Sequence, residues 1–92
     1  MTNIRIKRNP MTTLTRLDGF ASSMNIASGF NSFHDFVAAG YRPAVDTAIS
    51  VFQAVDSTAV ATGYISTAGT LVIMSTKALA NATLWFGGIW GV

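Results

Sequence analysis

The chain has 92 residues, 50% of them apolar and only 11% charged, with a formal net charge of +2. Ordinary soluble domains carry roughly 25% charged residues, so this chain is short of the groups that normally cover a water-facing surface. It has no cysteine, which excludes disulfides, thiolate metal sites and cysteine nucleophiles.

Residues 1–11 read as a basic flexible arm. Arg5, Lys7, Arg8 and, just beyond, Arg16 fall among the first 16 residues with no acid between them. Pro10 holds Asn9 in extended conformations. The segment lacks the apolar run of a secretory signal. Ile4 and Ile6 alternate with the basic residues, a pattern that also suits a strand added to a partner's sheet edge.

Residues 12–56 read as short amphipathic helices. The first starts from a cap at Thr12 or Thr13, with Leu14, Leu17, Ala21 and Met24 at helical spacing, and stops near Ala27-Ser28-Gly29. A second spans 32–39, with Ser32 and Asp35 placed as a capping box and Phe30, Phe33 and Val37 as its apolar stripe. Gly40-Tyr41-Arg42 is a break, and Pro43 opens a third helix with Val45, Ala48, Ile49, Phe52 and Val55 on one face. Arg42 and Asp46 stand four apart, the spacing of a helical ion pair.

Residues 57–92 form the apolar segment. Of these 36 residues only Lys77 is charged, and charged residues are rarely absent from a free surface. Two structures compete for Thr58–Met74. The β-branched residues around Ala68-Gly69 suit a hairpin, 59–67 with 70–76. The length, the small residues and the preceding helical periodicity suit a helix, which is the reading adopted. A helix over 57–90 would be about 50 Å long, against about 30 Å of bilayer hydrocarbon. Trp85, Phe86 and Trp90 would then form an interfacial belt, and the basic start places the N-terminus on the cytoplasmic side. The expected fold is all-α: short N-terminal helices, then a long apolar C-terminal helix or helical hairpin, embedded in a membrane or buried in an assembly.

Chemistry-bearing residues are sparse. His34, beside Asp35, is the only histidine and the one candidate cofactor ligand, for a pigment or haem iron. Asp18, Asp35, Asp46 and Asp56 are too widely spaced for a calcium loop. No glycine pattern fits a phosphate cradle. The paired titratable groups that an enzyme needs are missing, so no catalytic residue, metal site or resident cofactor is expected. Arg5, Lys7, Arg8, Lys77, Trp85, Phe86 and Trp90 are the expected membrane or partner contacts. Nucleic acid is not an expected partner, because the arm is short and its nearest aromatic is Phe20. The expected function is a non-enzymatic structural subunit of a membrane, envelope or multi-protein assembly, such as a virion or bioenergetic complex. It would pack with other subunits, its own copies or different chains, through the C-terminal third. The alternatives are a holin-like pore former and an accessory subunit of a pigment or haem complex.

Overall fold

The computed structural model describes residues 2–12, 14–53 and 61–91. Seven strands form along these residues: β1 (Thr2–Arg8), β2 (Leu14–Ile26), β3 (Gly29–Phe33), β4 (Thr47–Gln53), β5 (Ala61–Ile65), β6 (Leu71–Ser75) and β7 (Leu79–Gly91). They make one antiparallel sheet in the order β1-β2-β7-β4-β5-β6-β3, curled into a half-barrel. The all-α expectation is overturned: the described residues contain no helix.

The spine is the pair of 13-residue strands β2 and β7. In β7, Ala82, Leu84, Phe86 and Trp90 are buried while Trp85 and Ile89 are exposed. That alternation is the period-2 signature of a half-buried strand, and Gly87-Gly88 within it would weaken a helix. In β2, Thr15, Leu17 and Ala21 are buried, whereas Leu14, placed on the expected helical stripe, is 40% exposed. The register shifts after Ala21 and again after Met24, and Ser23 and Asn81 take positive φ nearby. Bulges of this kind bend a strand and increase local twist, which curls the sheet.

The second and third expected helices are also strand and turn. Ser32, expected as a cap, lies inside β3, paired with Val72 of β6. Within β4, Ile49 is buried and Val51 packs on the core, while Phe52 and, ahead of the strand, Val45 are 67% and 69% exposed. A helical face joining Val45, Ile49 and Phe52 therefore does not exist. Val55, and Thr13 as an alternative cap, lie outside the described residues.

The hairpin read as the lesser alternative is what forms. β5 and β6 pair from Ala61↔Ser75 to Ile65↔Leu71. Their turn is closed by Ser66 N–H to the Thr70 carbonyl at 2.9 Å and Gly69 N–H to the Ser66 carbonyl at 2.9 Å. Gly69 sits at φ +81, a conformation that costs a residue with a Cβ. The transmembrane-helix expectation falls with it: among the described residues no helix is long and apolar enough to cross a membrane.

The missing side of the barrel is covered by the strap 34–46. Val37 is fully buried against the core. Its N–H donates to the Gly69 carbonyl at 3.0 Å, and its carbonyl accepts from Arg42 Nε at 2.9 Å. Trp90 Nε1 donates to the Tyr41 carbonyl at 2.7 Å, and Asp46 Oδ1 accepts from Thr67 N–H at 3.1 Å. Arg42 pairs with Asp35 at 3.5 Å, not with Asp46 as expected. The break read at Gly40-Tyr41-Arg42 thus lies in the strap and separates no helices.

Candidate functional site

Strand alternation sorts the expected contact residues onto different sides of the sheet. On β1, Arg5 and Lys7 share the outer side with Asn3, whereas Ile4, Ile6 and Arg8 turn toward the strap. The Arg8 guanidinium lies 5.0 Å from the centre of the Tyr41 ring, a cation–π distance. Phe86 and Trp90 are core residues, 5% and 4% exposed. Phe86 meets the strap residue Phe36 at a ring distance of 6.3 Å. Lys77 is exposed in the β6–β7 turn, where Ser75 Oγ donates to its carbonyl at 2.6 Å. His34 is exposed in the turn after β3, with Nδ1 3.4 Å from Thr70 Oγ1. Among the described residues no group of three potential ligands could hold a metal ion.

Trp85 is 48% exposed on the outer face, where the fold gives it neighbours. It stands opposite Phe20 of β2 and opposite Phe52 of β4. The Phe20 and Trp85 rings are 4.7 Å apart at a tilt of 40°, and Phe52 is 67% exposed. Three aromatic side chains from three strands therefore form one row across the sheet. The only sequence signal for it is the alternation Trp85-Gly87-Ile89.

The next row carries charge. Arg5 stands opposite Asp18, and Asp18 opposite Gly87. Asp18 is held between two guanidiniums, Arg5 Nε at 3.2 Å and Arg16 Nε at 3.6 Å. A hollow of about 570 Å³ opens over Gly87, bordered by Arg16, Asp18, Ser50 and Ile89. A second, of about 580 Å³, shares Arg16 and Ile89 with it and adds Lys7, Arg8 and Thr12. The outer face thus runs from an aromatic ridge, across a glycine-floored trough, into a basic hollow.

The β1 edge is the other notable feature. Beside it lies an apolar cleft of about 490 Å³ lined by Ile4, Ile6, Phe36, Ala38 and Tyr41. Both end strands of the sheet, β1 and β3, have a neighbour on one side only. Comparison with protein-family models, with curated proteins and with solved structures returns no match for the chain.

Proposed function

We propose that the protein is a non-enzymatic structural subunit that packs edge to edge with a second copy of itself. The observation that carries this reading is the complementary character of its two open sheet edges. β1 carries Arg8 on the side of the apolar cleft and Arg5 and Lys7 on its outer side. β3 carries no charge, and Asp35, with a side chain 88% exposed, follows two residues after it.

An exposed edge is a template for another strand, with main-chain hydrogen bonds supplying affinity and pockets supplying selectivity. A β3 edge seated on β1 would continue the inner face, placing Phe33 of one copy beside Ile4 and Ile6 of the other. It would also bring Asp35 toward the basic strand. Two such contacts about a twofold axis would join two half-barrels with no edge left over. Pairing β1 with β1 would set like charges across from one another, which is destabilising.

Sedimentation measured across a concentration series tests this. A dimer that Ala38→Arg dissociates is expected, because Ala38 is exposed at the cleft and the larger side chain would fill it. A folded wild-type chain that stays monomeric up to about 100 µM, far weaker than a stable dimer, would sink the reading.

A further inference from the structure

We infer that the outer face of the sheet binds single-stranded nucleic acid, with bases stacked on Phe20, Trp85 and Phe52 and phosphates held by Arg16, Lys7 and Arg5. Its aromatic row and Arg16 lie on β2, β7 and β4, away from both edges, while Arg5 and Lys7 are the outer-side cations of the edge strand β1.

Three features favour this ligand. First, aromatic rings from adjacent strands form a stacking platform, which unpaired bases can use and stacked duplex bases cannot. Second, the same face carries three cations against one carboxylate, Arg5, Lys7 and Arg16 around Asp18. Both arginines meet Asp18 through Nε, and their side chains are 62% and 73% exposed. Contact through Nε leaves their terminal amino groups available for the forked contacts that phosphates accept. Third, the ridge and the basic hollow are joined by an open trough, because a Cβ at Gly87 would have nothing within 4 Å. From Trp85 to Ile89 this path runs about 13 Å at roughly 3.3 Å per residue, enough for a short run of nucleotides.

Charge decides against a purely apolar partner. A protein surface docking on the aromatic row alone would bury the row beside a cluster of exposed guanidiniums and leave them unused. A strand of alternating planar and anionic groups engages both. A sulfated glycan would use the cations but not the rings, and the test separates the two.

The experiment is fluorescence anisotropy with labelled oligo(dT) and oligo(U) of about 15 nucleotides, a length within known site sizes. A matching DNA duplex and heparin serve as competitors. Binding should weaken with salt at a log–log slope near −2, as expected for three phosphate contacts at about 0.7 each. Trp85→Ala should weaken binding about ten-fold or more, since one base–aromatic stack is worth that much. Lys7→Ala with Arg16→Ala should flatten the salt slope. Gly87→Val should also weaken binding by filling the trough, while native Trp90 emission and an unchanged melt show that it still folds. Preference for oligo(dT) or oligo(U) identifies DNA or RNA as the source. Four results would each overturn the inference: no binding by folded protein at about 50 mM salt, where phosphate contacts are strongest; equal affinity for duplex; indifference to Trp85→Ala; or binding of heparin that oligonucleotides do not displace.

Discussion

The indole Nε1 of Trp90 donates a 2.7 Å hydrogen bond to the Tyr41 carbonyl, tying the last strand to the strap that covers the open side of the half-barrel. Trp90 is 4% exposed and Tyr41 40%, so the bond is part-buried, with its donor in the core and its acceptor near the surface. Trp90→Phe keeps an aromatic ring in the core but leaves the carbonyl without its donor. Unfolding in urea should show a loss of about 0.5–1.5 kcal/mol, the net contribution of a typical hydrogen bond. An unchanged midpoint would mean that the strap is held by its other contacts alone.

Gly69 and Gly40 offer a controlled comparison. Both have positive φ, +81 and +95. A Cβ at Gly69 would press on the Val37 carbonyl at 2.5 Å and on Arg42 Nε, whereas one at Gly40 would meet nothing within 4 Å. Gly40→Ala should cost only the backbone strain, about 1–2 kcal/mol. Gly69→Ala should cost clearly more, because it also dislodges the Val37–Arg42 anchor. Equal thermal shifts for the two variants would contradict this account of the strap.

Leu84 is fully buried in β7, and its strand is flanked by β2 and β4. Leu84→Ala should cost about 2–5 kcal/mol through lost burial and the cavity left behind. Total stability is typically about 5–15 kcal/mol, so the variant should melt far lower or fail to fold. A shift below about 1 kcal/mol would mean that β7 is not the centre of the core.

How much of this was legible in the sequence differs along the chain. The helical stripe Leu14, Leu17, Ala21 and Met24 is a real spacing, yet it competes with the period-2 set Thr15, Leu17 and Ala21, and the buried residues follow the second. Short apolar runs of small and β-branched residues satisfy both templates. Trp85, Gly87 and Ile89 against Leu84, Phe86 and Trp90 was the clearest strand signal. It was masked by the uncharged composition of the segment, which also fits a lipid-facing helix. Beyond that alternation, the composition of the outer face was not legible. Phe20 meets Trp85 across 65 residues of sequence, through a β2–β7 register that only the folded sheet supplies.

Removing residues 2–8 tests how β1 contributes. The strand pairs with β2 at seven positions, but Ile4 and Ile6 are only partly buried. Strands β2 to β7 should stay paired, with a loss of about 1–3 kcal/mol set by the apolar area of the two isoleucines. A melt identical to the full chain would make the segment a dispensable arm. Loss of all cooperative unfolding would make it part of the folding unit.

Asp18→Asn separates the two roles of the charged trio on the outer face. The carboxylate side chain is 34% exposed and its arginine partners are 62% and 73% exposed. Pairs this open to water typically contribute about 0–1 kcal/mol, so the melt should scarcely move. Electrostatics on the face should change more, because one negative charge is removed from among three cations. Oligonucleotide affinity should rise a few-fold at low salt and the gain should fade as salt is added, as screening shortens the reach of each charge. An affinity that falls while the melt stays constant would show that Asp18 matters by orienting Arg5 and Arg16. In that case Asp18→Glu should recover part of the binding and Asp18→Ala none.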